Sequence, residues 1–336
     1  MSVWERYRLR LRRKRLLVRA WRKGRELVPV TDRARAIRPD DILLCSTLRN
    51  ERFRLPFFLA YYRGLGVSHF LIVDNGSADG SGEYLAEQPD VSLWRTDASY
   101  KASRYGADWM NRLLRIHGCG HWALTVDPDE FFVYPFCDTR PLRALTDWLD
   151  IYDARAFPAM QLDMYPKGPV ADAVCVEGQD PLEVANWFDP GNYVISRNRL
   201  YGNLWIQGGP RMRLMFADAP KDAPALNKIP LVKWQRGYAF ASSTHMLLPR
   251  GLNRVYDDQG GEKPSGCLLH AKFTSLLVPK IAEELGRGMH YSGGREYRAA
   301  DEAFGRNPDL WCKWSEKYIN WRQLEILGLM SKGNWA

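Results

Sequence analysis

From residue 41 onward, short apolar runs alternate with segments of helical periodicity. Ile42–Leu48 reads as a strand, and Arg54–Leu65 carries Leu55, Phe58, Leu59 and Tyr62 on one helical face before Gly64-Leu65-Gly66 stops it. His69–Val73 predicts a second strand, Gly82–Gln88 a short helix, Val91–Arg95 a third strand, Ser103–His117 a longer helix and His121–Val126 a fourth strand. Strands alternating with helices in this way predict an α/β fold with a mostly parallel sheet covered on both faces.

Beyond Pro141 the rhythm loosens. A helix at Leu142–Tyr152 precedes a strand at Ala156–Leu162, and residues 165–265 are rich in Gly, Pro, Trp and Tyr, with short strands expected at Tyr201–Ile206 and Arg211–Phe216. Lys272–Leu285 and Trp311–Leu327 read as helices. Residues 39–336 are therefore expected to form one domain, with 39–140 as its first half and 141–336 adding strands, loops and C-terminal helices.

The first 38 residues differ in kind. They hold 14 of the 48 Lys and Arg but 3 of the 39 Asp and Glu, a net of +11 that leaves the rest of the chain at −2. Trp4, Tyr7 and Leu11 recur at helical spacing, as do Leu16, Leu17, Ala20 and Trp21. Such an arm suits an anionic membrane surface, and equally a solvated basic tail. A near-neutral body argues against a nucleic-acid-binding domain. No apolar run reaches 18 residues, the N-terminus lacks the h-region of a signal peptide, and six scattered cysteines form no C-x-x-C pair. The expected setting is cytoplasmic, with attachment at the inner membrane face if the arm binds lipid.

Chemistry concentrates at strand ends. Trp122-Ala-Leu-Thr-Val-Asp127-Pro128-Asp129-Glu130 delivers two carboxylates to the carboxyl edge of the sheet, where open α/β folds bind ligands. Two residues apart in an extended segment, Asp127 and Asp129 can face one side and hold Mg²⁺ or Mn²⁺ against phosphate oxygens. The plainer reading is a solvated turn. One strand earlier, Asp74-Asn75-Gly76-Ser77-Ala78-Asp79-Gly80-Ser81 can approach a nucleotide, with Asp74 accepting from a base N–H, or can simply cap the next helix. Thr47, Asn50 and Glu51 converge on the same edge from the first strand, where Thr47 and Glu51 can meet a nucleoside.

Arg49-Asn50-Glu51, Asp74-Asn75-Gly76-Ser77-Ala78-Asp79-Gly80-Ser81 and Asp127-Pro128-Asp129-Glu130-Phe131, in this order at three strand ends, resemble the GT-A glycosyltransferases of the family 2-like group over roughly residues 41–136. The resemblance implies a nucleotide-sugar donor, often a uridine diphosphate sugar, a carbohydrate or lipid-linked acceptor, and a divalent cation, Mn²⁺ or Mg²⁺. It implies that Asp74 and Asn75 serve the nucleotide, that Asp127 and Asp129 serve ribose, diphosphate and metal with Asp129 the more direct ligand, and that the anomeric configuration inverts. Related enzymes use a late histidine as a metal ligand, which points to His270, and a later carboxylate as general base, for which Asp163 is preferred to the Asp257-Asp258 pair. Arg211, Arg213, Lys228 and Lys272 are expected near the departing diphosphate. Two rivals stay open: a metal-dependent nucleotidyltransferase or phosphohydrolase, and a membrane-recruited nucleotide-binding protein without catalysis. The first should offer a Gly-rich phosphate loop or further acidic metal ligands, and the first strand-to-helix turn, Ser46-Thr47-Leu48-Arg49-Asn50-Glu51, shows neither.

Overall fold

The computed structural model describes residues 1–256, 263–277, 280 and 307–335. In chain order the elements are α1 (Val3–Lys23), β1 (Val28–Thr31), β2 (Leu43–Leu48), α2 (Leu55–Leu65), β3 (His69–Asp74), α3 (Ser81–Glu87), β4 (Val91–Arg95), α4 (Ala107–His117), β5 (Trp122–Thr125), β6 (Glu130–Val133), α5 (Leu142–Ile151), β7 (Ala156–Asp163), β8 (Trp187–Phe188), β9 (Val194–Arg197), β10 (Leu204–Gln207), α6 (Gly209–Met215), β11 (Asn227–Lys233), β12 (Ala239–Ser242), β13 (Met246–Leu248), β14 (Gly266–His270), β15 (Glu316–Lys317) and α7 (Trp321–Ile326).

Nine strands form one sheet in the order β1-β4-β3-β2-β5-β11-β7-β14-β6. β4, β3, β2 and β5 are parallel neighbours, β14 runs parallel to β7, and β11, β6 and β1 are antiparallel to the strands beside them. Side chains alternate across the strands with a period of two. Leu44, Ile72 and Leu124 pack under Phe58, Leu59 and Leu145 of α2 and α5, whereas Leu43, Leu71 and Ala123 pack under Trp109, Leu113 and Leu114 of α4. Both faces are thus covered. This is the Rossmann-like α/β architecture, a mostly parallel sheet with helices on both faces, that the sequence resemblance implied.

The departures from the sequence reading have local causes. Arg211–Phe216 is not a strand: Gly208-Gly209-Pro210 breaks the preceding extended chain, and proline near the start pre-sets helical φ, so α6 forms instead. The helix expected from Ser103 begins only at Ala107, because Arg104, Tyr105 and Gly106 are all left-handed, at φ 55°, 57° and 77°. The C-terminal helix is confined to α7, and residues 271–276 form loop and turn where a helix was expected from Lys272, the remainder of that segment lying largely outside the described residues. β6, β11 and β14 were not foreseen; β11 contains Pro230, around which its register with β7 shifts.

The basic N-terminal segment folds as α1, opened by a capping box between Ser2 and Glu5. Leu9 and Leu16 bury against Tyr201, Ala239, Ala241, Met246 and Leu248, and Ala20 on the same face is buried as well. Among the described residues, no helix is long and apolar enough to cross a membrane.

Candidate active site

Two sheet pairings and one chain crossing assemble the site. His270, the last residue of β14, stands opposite Asp163 on β7 and opposite Glu130 on β6, so three ionisable side chains lie in one row at the strand ends. The chain leaving β5 must cross the ends of β11, β7 and β14 to reach β6 at the sheet edge, and Asp127-Pro128-Asp129 makes that crossing. The crossing is a tight turn, not the extended segment expected: the Glu130 amide donates to the Asp127 carbonyl over 3.0 Å, with Pro128 in the second position, where its fixed φ favours turning. The Ala271 amide donates to the Asp129 carbonyl at 2.8 Å and ties the turn to the end of β14.

A cavity of about 720 Å³ opens over this row. Asp127, Asp129 and His270 line it, together with Thr47, Glu51 and Asn75 from the first two strand ends. Asn50, Asp74 and Asp163 do not; they support the lining. Asp74 Oδ1 accepts from the amide and hydroxyl of Ser77, Asn50 Oδ1 accepts from the Ala78 amide, and the Asn75 amide donates to the carbonyls of Thr96 and Ala98, each at 3.0 Å. Thr47 Oγ1 is buried with no hydrogen-bond partner among the described residues.

The electrostatics follow from burial and pairing. His270 Nδ1 lies 2.7 Å from Asp163 Oδ1, and its Nε2 lies 3.4 Å from Asp129 Oδ2. Burial disfavours the imidazolium, but the charges and hydrogen bonds of Asp129 and Asp163 outweigh it and raise the His270 pKa. Asp129 is the mirror case: burial opposes its ionisation, yet His270, Arg54 and Lys272 hold its carboxyl well below the usual range. Asp163 is almost fully buried, with Oδ2 accepting from Arg211 Nε at 2.7 Å. Burial works against its charge too, and Arg211 and His270 overcome it to set a pKa of about 2.

Lys228, at the start of β11, reaches under the turn. Its ammonium pairs with the buried Glu130 and lies 3.3 Å from Asp127 Oδ2. Burial opposes its charge, but Glu130 and Asp127 dominate and push its pKa up. Gln161 donates to Glu130 at 2.6 Å and accepts from Arg211 at 3.0 Å, which joins the two charge pairs into one network. Arg213 turns away, bonded to Asp189 at 2.9 Å, and does not line the cavity.

Nine Lys and Arg line the cavity against four Asp and Glu, in a body whose overall charge is close to neutral, so the described lining favours an anionic ligand. Arg54, Arg104 and His245 are lining residues that sequence reasoning missed. His245 Nδ1 bonds the Asn227 carbonyl at 2.7 Å; burial first, and then Lys228, lower its pKa to about 4, so the ring is neutral near pH 7. The one available signal for Arg104 was its place before Tyr105-Gly106. The Asp257-Asp258 pair lies outside the described residues.

The side chains at hand fit a divalent cation. Asp129 Oδ2 and His270 Nε2 are separated by a distance close to the roughly 3 Å expected between adjacent ligands of an octahedral ion with bonds of about 2.1 Å. Among the described residues no group of three or more His, Cys, Asp or Glu is arranged to hold a metal ion, so further ligands would come from a bound diphosphate and water.

No protein-family model matches the chain. A glycosyltransferase family 92 protein from Ricinus communis is 29% identical over 109 residues, a stretch covering 30% of this chain and 18% of that relative. The similarity therefore spans less than a fifth of the relative's length.

Proposed function

We propose that this protein transfers a sugar from a nucleoside diphosphate donor, a uridine diphosphate sugar by resemblance, to a hydroxyl of a carbohydrate or lipid-linked acceptor. The observation that carries the reading is the Asp127-Pro128-Asp129 turn lying beside His270 at the carboxyl ends of the sheet, in a basic cavity. The likeness to a glycosyltransferase family 92 protein supports glycosyl transfer in general.

In this reading Asp129 and His270 hold Mn²⁺ or Mg²⁺, which when bound offsets the charge growing on the departing diphosphate. Asp163 fixes the His270 ring so that Nε2 faces Asp129, the supporting role that carboxylates play behind ligating histidines. Lys228 restrains Asp127 and Glu130 so that the turn keeps its shape when an anion enters. Thr47 Oγ1 offers an unused donor and acceptor to the nucleoside. Asn50, Asp74 and Asn75 hold the loops on which the nucleotide would lie.

The sequence reading gave Asp163 the proton from the acceptor hydroxyl. Both of its oxygens are occupied, and a carboxyl with a pKa of about 2 is a weak base, so we assign it to positioning instead. His245 is the better-placed acceptor: it lines the cavity, Nδ1 is committed to the Asn227 carbonyl so that Nε2 is the accepting nitrogen, and at a pKa of about 4 it is weakened less than Asp163. A single displacement with this base inverts the anomeric centre.

The test is incubation of the purified protein and Mn²⁺ with a panel of nucleotide sugars and hydroxyl acceptors, followed by analysis of the products. A glycoside of inverted configuration plus nucleoside diphosphate supports the reading. Cleavage within the diphosphate would instead favour a phosphohydrolase or nucleotidyltransferase, and donor binding without turnover a silent binding protein.

A further inference from the structure

α1 has two apolar faces, and the fold uses only one. At 100° per residue, Leu9, Leu16 and Ala20 point to one side and are the residues buried against the domain. Trp4, Tyr7, Leu11, Val18 and Trp21 fall within an arc of about 100° on the opposite side. There Trp4 is 66% exposed, Tyr7 55%, Val18 49% and Trp21 45%. The Trp4 and Tyr7 rings stack on each other, with centroids 5.8 Å apart. Exposed cations border this stripe, Arg8 and Arg15 along one side and Arg10 along the other, with Arg22 at its edge and Lys14 within it. The helix's one acidic residue, Glu5, is spent on the N-terminal cap.

We infer that the outer face of α1 is a docking surface for an anionic lipid bilayer, lying in the interface with its aromatic stripe at the boundary between headgroups and acyl chains and its arginines at the phosphate level. An aromatic ridge edged by cations is the pattern of an in-plane interfacial helix. A second copy of the chain fits poorly, because pairing this face with itself brings two cationic margins together. A nucleic acid would use the arginines but has little use for Val18 and Leu11. α1 is also no loose tail: Arg19 bonds Asp108 at 2.6 Å and donates to the Ala102 carbonyl, while Arg104, a cavity-lining residue, bonds the same Asp108 at 2.8 Å. This surface stands whether or not the glycosyl-transfer reading holds.

The experiment is flotation of the full chain with vesicles of phosphatidylcholine alone or mixed with phosphatidylglycerol, at low and physiological salt. The wild type should float with the anionic vesicles only, with a blue shift of tryptophan emission. Trp4→Ser/Tyr7→Ser/Trp21→Ser should bind about tenfold more weakly or worse while its melting temperature is unchanged, since none of these side chains is buried. Arg8→Gln/Arg15→Gln/Arg22→Gln, measured alongside, should lose the preference for anionic lipid and stands alone if the aromatic variant misfolds. No flotation with anionic vesicles would overturn the inference. So would binding indifferent to both variants, an oligonucleotide bound more tightly than vesicles, or a concentration-dependent dimer abolished by the aromatic variant.

Discussion

Asp163 on β7 and His270 on β14 stand opposite each other in the sheet, and their side chains meet at 2.7 Å between Oδ1 and Nδ1. Backbone pairing alone sets this contact, and Arg211 locks the other oxygen of Asp163. The histidine therefore cannot rotate freely, and its second nitrogen is committed to the side of Asp129.

If Asp163 acts by orienting His270, Asp163→Asn should weaken Mn²⁺ affinity about 10–100-fold, the range seen for such supporting partners. Calorimetric titration of Mn²⁺ in the presence of nucleoside diphosphate checks this. A general base would instead lower turnover with metal affinity intact, and a merely structural residue would lower the melting temperature with metal affinity intact.

Metal binding should tighten as pH rises. Without metal, the pKa of His270 is raised by Asp129 and Asp163, so its charged form contributes stability that is fully present below about pH 6.5 and lost as pH rises through the raised folded value. A cation must displace that proton, so its affinity falls about tenfold per pH unit below the folded pKa and levels off above it. Titrations in buffers of different ionisation enthalpy should register close to one proton released at low pH. A pH-independent affinity would remove His270 from the ligand set.

Lys228 and Glu130 are a buried pair, with 5% and 0% side-chain exposure. Lys228→Met leaves Glu130 and its neighbour Asp127 uncompensated and should cost about 3–5 kcal/mol in denaturant unfolding. Adding Glu130→Gln should recover a large part of that loss. An equal or greater loss in the double variant would show that the lysine acts through packing.

Why some of this was legible and some was not follows from the range of the interactions. β2 through β5 and their helices came through because each is a local pattern of period 2 or 3.6 bounded by its own turn residues. Asp127 and Asp129 came through because a buried strand leads directly into them. β11 did not, since Pro230 interrupts its apolar run, and nothing local reveals that its Lys228 will lie beneath a turn some 100 residues earlier. His270 was reached only through a family resemblance, and the part played by Asp163 depends on the register of β14 against β7, which is a long-range pairing. The apolar residues of α1 recur at helical spacing, but spacing within a helix cannot say which of them the domain will cover.

His245 should prove to be the proton acceptor. His245→Gln, which keeps a donor toward the Asn227 carbonyl, is expected to lower kcat about 10²–10⁴-fold with little change in the KM for donor. Turnover near the wild-type value would remove His245 from that role.

Asp129 and His270 are proposed to form a metal-dependent diphosphate site. The most direct measurement is calorimetric binding of uridine diphosphate with and without Mn²⁺, to the wild type and to Asp129→Asn. Binding should require Mn²⁺ in the wild type and be lost in Asp129→Asn while the melting temperature is maintained. Mn²⁺-dependent binding that survives in Asp129→Asn, or no binding to the wild type of any nucleoside diphosphate, would contradict it.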